Sequence, residues 1–133
     1  MKNLIVCISN NNGMMFNNRR QSRDRLLLEK LCTDYQNERI IIHEYSNKLF
    51  DGLNVELSET LCVDGATSFV EDPDLIPAET IFDKIVVVRW NRDYPADKFF
   101  TIDLNNYTCV AQEEFVGKSH DEILIETYVY NKN

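Results

Sequence analysis

The chain has 133 residues, 44% of them hydrophobic and 27% charged, which is enough apolar material for one core and too little length for two domains. Its formal net charge is −8, which disfavours bulk binding to nucleic-acid backbones or anionic membranes. Four cysteines (Cys7, Cys32, Cys62, Cys109) form no C-x-x-C pair, and the two histidines, His43 and His120, stand far apart. The spacing of a zinc site is therefore missing, and no metal is expected.

In chain order, Leu4 to Ile8 is a β-prone run too short for a signal-peptide core or a bilayer span, which predicts a cytosolic address. Its unbroken apolar character predicts a strand covered on both faces, and Asn12-Gly13 then makes a turn. Ser22 is a cap candidate for a helix through Gln36, with Leu27, Leu28, Leu31, Cys32 and Tyr35 at helical spacing and Asp24 in the first turn. Residues 39–42 read as a second strand and Asn47 to Phe50 as a short helix capped by Ser46. Residues 53–57 alternate as a strand with one wet face, and 67–70 read as another, ended by Glu71-Asp72-Pro73. Pro77 suits the first turn of a further short helix. Ile85 to Trp90 is the strongest strand, Asn91 to Asp97 a polar loop, and 107–112 with 123–130 a closing antiparallel pair. Cys7 and Cys109 lie in apolar runs and read as buried small hydrophobes. The alternation of elements predicts a single α/β domain over residues 1–133, its central sheet mostly parallel with antiparallel strands at the C-terminal end.

Two resemblances follow from particular residues. Leu4-Ile5-Val6-Cys7-Ile8 with Asn12-Gly13-Met14-Met15-Phe16, and the C-terminal series Lys84 to Arg89, Asp97-Lys98-Phe99-Phe100, Tyr107 to Val110 and Ile125-Glu126-Thr127-Tyr128, resemble in order and spacing the two ends of dihydrofolate reductase. That family implies a three-layer sandwich and an NADPH site. Its cofactor turn corresponds to His43-Glu44-Tyr45-Ser46, where Glu44 is negative, and its glycine pair corresponds to Glu71-Asp72. Those departures imply that no cofactor is held. By the same resemblance, Asp24 falls near the family's pterin-binding carboxylate. The segments Phe16-Asn17 through Arg25, Phe69-Val70-Glu71-Asp72 and Arg89-Trp90-Asn91-Arg92 through Asp97 are similar to short proteins from Firmicutes that carry the label ribonuclease Z. The two isolated histidines do not supply that enzyme's zinc cluster.

Residues 18–30 hold Arg19, Arg20, Arg23, Arg25 and Lys30 against Asp24 and Glu29, a net +3 on an acidic chain. Strand ends of an open α/β sheet converge on a crevice, so Arg19, Arg20, Arg23 and Asp24 could meet Glu71 and Asp72 there and grip a phosphorylated or nucleotide ligand. The same residues also admit a purely structural network in which Glu71 and Asp72 pair with Arg20 or Arg23. Arg89 and Arg92 flank Trp90 and could stack on a base, or Trp90 could pack in the core. His120 is either a general base without an identified nucleophile or a bystander. Three functions remain open: a non-reductase binding or regulatory domain, a metal-dependent nuclease or phosphohydrolase, and a residual pterin or flavin reductase. Pairing into a homodimer through a sheet edge is also open.

Overall fold

The computed structural model describes residues 1–132. In chain order the strands are β1 (Lys2–Ile8), β2 (Gly13–Phe16), β3 (Arg19–Arg20), then helix α1 (Arg25–Asp34), β4 (Ile40–Ile42), β5 (Glu56–Leu57), β6 (Ala66–Phe69), β7 (Lys84–Arg89), β8 (Lys98–Phe99), β9 (Tyr107–Phe115) and β10 (Ile123–Tyr130). A seven-residue 3-10 helix lies at Glu44–Phe50, and single 3-10 turns at Pro73–Leu75 and Leu104–Asn106.

Seven strands form the main sheet in the order β5-β4-β6-β1-β7-β10-β9. The pairings β4–β5, β4–β6, β1–β6 and β1–β7 are parallel, and β10 runs antiparallel to both β7 and β9. The architecture is the expected α/β one, mostly parallel with an antiparallel C-terminal end. Its centre is buried on both sides, as the unbroken apolar runs require. Leu4, Val6, Ile85 and Val87 point to one core with Met14, Met15, Phe82 and Phe100. Ile5, Val86 and Val88 point to the other, which α1 covers through Leu27, Leu28 and Leu31.

Several local expectations shift. The cap of α1 is Asp24, whose side chain accepts from Leu27 N–H, and the helix ends at Asp34. Ser22 lies outside it because its hydroxyl is engaged elsewhere, as described below. The 44–50 segment is capped by His43 rather than Ser46. The expected strand at 53–57 is reduced to Glu56–Leu57, and the helical turn in the 74–84 region forms over Pro73–Leu75, with Asp72 as its cap, not at Pro77. Cys109 is exposed, because β9 is an edge strand whose residues 108–114 all face solvent. The sequence also hid a small sheet, β3-β2-β8, whose strands are too short to show a period. That small sheet carries Arg20 up to the C-terminal ends of the parallel strands.

Candidate functional site

The ends of β1, β6 and β7 open on a cleft lined by Cys7, Met14, Arg20, Ser22, Arg23, Asp24, Leu27, Phe69, Glu71 and Trp90. It is narrow: the volume open to water is about 20 Å³, room for about one water. The reason is an ion pair across its mouth. Arg20 Nε lies 2.7 Å and its Nη2 3.1 Å from the Glu71 carboxylate, a bidentate pair of the strong kind. Ser46 Oγ donates to the same carboxylate at 2.7 Å. Arg20 also donates to the Tyr45 carbonyl at 3.2 Å and stacks over the Tyr45 ring. The bond to Glu71, against the opposing effect of burial, raises the Arg20 guanidinium above its ordinary range. Burial, added to by the charge of Glu71, pushes the Cys7 thiol strongly up, so Cys7 is an inert part of the wall.

Asp24 sits at the second focus. It is buried, and its carboxylate accepts from the backbone N–H groups of Leu27 at 3.2 Å and of Lys118 and Ser119 at 2.9 Å, and from His120 Nδ1 at 2.9 Å. Burial opposes its ionisation. The donors of Lys118, Ser119, His120 and Leu27 outweigh that and hold the carboxyl well below the usual range. The loop between β9 and β10 is thereby tied to the start of α1. Its histidine stacks on Trp90, ring centroids 4.6 Å apart, and Trp90 is buried, which agrees with the packing reading of that residue.

On the outer side of Asp24 an open groove of about 520 Å³ is lined by Arg23, Arg25, Leu28, Lys48, Leu49, Lys118 and Ser119. Arg25 is occupied: it pairs with Glu29 and donates to the carbonyls of Leu49 and Asp51. Among the described residues, Arg23, Lys48 and Lys118 have no carboxylate within 4.0 Å. They are exposed, so a guanidinium and two ammonium groups remain available to an anion.

The other candidate residues are dispersed. Arg19 is exposed beside Phe16, Asn17 and Tyr94. Asp72 pairs with Lys98. Arg89 pairs with Glu126 on the neighbouring strand, and Arg92 with Asp121 and Glu122. Arg20, Arg23, Asp24 and Glu71 thus meet at one cleft, whereas Arg19, Asp72, Arg89 and Arg92 do not line it. Among the described residues no three His, Cys, Asp or Glu side chains are grouped to hold a metal ion. Sequence reasoning missed Lys48 and Lys118. They lie far from the arginine segment in the chain, and only the approach of the 117–120 loop brings Lys118 to it.

No helix among the described residues is long and apolar enough to cross a membrane. No family model matches the chain, and no curated protein matches it; the resemblance to the proteins labelled ribonuclease Z gains no support. The chain is similar to the solved structure of a dihydrofolate reductase from Enterococcus faecalis complexed with NADP(H) and RAB-propyl. The TM-score is 0.67 at 15% identity, over 99% of this chain and 97% of that one. Identity that low speaks for architecture and not for activity: the chain carries the dihydrofolate reductase fold.

Proposed function

We propose that this chain is a non-reductase binding domain that holds a small phosphorylated or nucleotide ligand in the groove at the start of α1. The observation that carries this reading is the convergence of Arg23, Lys48 and Lys118, without carboxylate partners among the described residues, on one groove of an acidic protein. Asp24 does not cancel that charge for a ligand, because its carboxylate is buried and saturated by donors. Arginine and lysine are suited to phosphate oxygens, the first as a fork and the second as a point charge. Arg20 acts differently from its sequence neighbour Arg23: its guanidinium is committed to Glu71 and shapes the cleft rather than meeting the ligand.

The enterococcal protein was solved with NADP(H), and the corresponding place here does not fit a dinucleotide. Ser46, the one member of the 43–46 turn with phosphate-binding chemistry, spends its hydroxyl on Glu71, and Glu44 adds charge of the wrong sign in the first turn. The carboxylates that a metal-dependent hydrolase would use here, Glu71, Asp72 and Asp24, are also engaged separately, Glu71 by Arg20, Asp72 by Lys98 and Asp24 by the 117–120 loop.

Calorimetric titration with inorganic pyrophosphate, AMP and NADPH tests the reading. Saturable binding of pyrophosphate or AMP that weakens with salt, and is lost in Arg23→Ala/Lys118→Ala, is expected, with NADPH no tighter than AMP. Absence of saturable binding, or binding indifferent to the double substitution, sinks it.

A further inference from the structure

A second chemical feature stands beside the groove: a line of hydrogen-bonded side chains that ends at Asp24. Ser22, His120 and Asp24 form a continuous line of hydrogen bonds. His120 Nδ1 is 2.9 Å from Asp24 Oδ2, and His120 Nε2 is 2.8 Å from Ser22 Oγ. The roles of the atoms follow from Asp24. An ionised carboxylate only accepts, and this one is held ionised, so the histidine nitrogen facing it carries a proton. In the neutral ring Nε2 then bears the lone pair, and the Ser22 hydroxyl donates to it. Tyr94 Oη lies 3.2 Å from the same nitrogen and 3.5 Å from Ser22 Oγ, so the serine has the shorter approach.

The ring is fixed from both sides. Trp90 stacks on it at 4.6 Å, and the Ser119 hydroxyl lies 3.2 Å from Nδ1. His120 is 6% exposed and the Asp24 side chain is fully buried, whereas Ser22 is half-buried and lines the cleft. A serine at the accessible end, a histidine oriented by a buried carboxylate and a hydrogen bond between them are the parts of an activated nucleophile, on whatever fold they occur. We propose that Ser22 is a nucleophile activated by His120, with Asp24 as its positioning residue, and that the cleft hydrolyses short-chain carboxylic esters.

The lining sets the substrate class. Met14, Phe69 and Trp90 line the cleft with apolar surface. Because the closed cleft has room for about one water, the acyl group must be small and the Arg20–Glu71 mouth must open to admit it. Arg23 lines the same cleft and supplies positive charge for a carbonyl oxygen that becomes negative. In the first step Ser22 Oγ bonds to the ester carbonyl carbon while its proton passes to His120 Nε2. The carbon–oxygen bond to the alcohol breaks, and the departing oxygen takes that proton, leaving acyl-serine. Water then attacks the acyl carbon and gives its proton to Nε2. The bond to Oγ breaks, Oγ regains a proton from Nε2, and the carboxylic acid leaves. Ester and water become acid and alcohol, with no oxidant, reductant or metal required.

This proposal shares Arg23 with the outer groove, but its test reads a covalent bond on Ser22 and so separates it from anion binding there. The full chain is incubated with p-nitrophenyl acetate and, separately, with an alkyl fluorophosphonate, then acid-quenched and mapped by peptide mass. One acetyl or phosphonyl group on Ser22 is expected, absent in Ser22→Ala and formed at least about 100-fold more slowly in His120→Gln, while Tyr94→Phe still labels. No adduct on the unsubstituted chain overturns the proposal. So does an adduct that persists in Ser22→Ala, or one that forms as fast in a folded His120→Gln. Should His120→Gln fail to fold, Ser22→Ala still decides, since it removes only a half-exposed hydroxyl.

Discussion

Gly117 lies directly against the carboxylate of Asp24. A Cβ at Gly117 would stand 2.6 Å from Asp24 Cγ and 2.7 Å from Oδ1, inside van der Waals contact. Asp24 cannot swing away, because Leu27, Lys118, Ser119 and His120 all hold it. Gly117 N–H also donates to the His120 carbonyl at 2.7 Å, closing the loop on itself. Gly117→Ala is therefore expected to destabilise the fold by about 1–3 kcal/mol, the usual cost of overpacking. A urea midpoint equal to that of the unsubstituted protein would count against the contact.

Glu71→Gln keeps the shape of the side chain but removes the charge that meets Arg20 and Ser46. The Arg20 side chain is then a partly buried cation without its counter-ion, and a loss of about 1–3 kcal/mol is expected. The same substitution should loosen the mouth of the cleft. Faster hydrogen exchange at residues 44–50 and 71–75 is the readout, and unchanged exchange there would refute it.

Tyr107 reaches across from the start of β9, and its hydroxyl accepts from Phe82 N–H at 3.0 Å in a buried setting. Burial raises its phenol above the ordinary range, with the Phe82 bond acting in the opposite direction. Tyr107→Phe keeps the ring packing but orphans that backbone donor, so a cost of about 1–3 kcal/mol is expected. A thermal midpoint within error of the parent would show that water replaces the hydroxyl.

Acid should unfold the chain through its buried and half-buried carboxylates. Burial opposes ionisation of Asp24, Glu38 and Glu126. Their bonds, to the 117–120 loop for Asp24, to Thr67 and Lys84 for Glu38, and to Arg89 and Gln112 for Glu126, nevertheless leave all three below their ordinary values. A depressed carboxyl stabilises fully above its unfolded value, about 4 for Asp and Glu, and that contribution is lost as pH falls through the folded value. The urea midpoint should therefore be flat from neutrality to about pH 5 and fall steeply below about pH 4. Asp24→Asn should be less stable at neutrality and show a shallower acid slope. An identical slope in the variant would remove Asp24 from the account.

The parts of this molecule that were legible in its sequence are those whose cause is local. The runs Leu4–Ile8 and Ile85–Val88 announced central strands because burial on both faces demands unbroken apolar residues, and the leucines of α1 announced a helix by their spacing. The arginine-rich helix start was visible as a charge contrast. The partners were not visible. Asp24 and His120 stand 96 residues apart, and Lys118 reaches the same groove only because the loop before β10 folds back. Asp24 looked like a first-turn acid and proved to be the cap, because the 117–120 loop supplies backbone donors that no local pattern reveals. Arg20 and Arg23 looked equivalent, and only the position of Glu71 separates a committed guanidinium from a free one.

The place of β1 in the sheet has a consequence for synthesis. It is the most central strand and precedes both of its partners in the chain, residues 66–69 on one side and 84–89 on the other. Residues through Phe69 must emerge before one edge of that apolar strand is covered and residues through Arg89 before the other, and closing such long loops is slow. One edge of a nascent Leu4–Ile8 segment therefore stays open to other chains until Arg89 is out, and folding yield in cells should depend on how quickly translation passes that point.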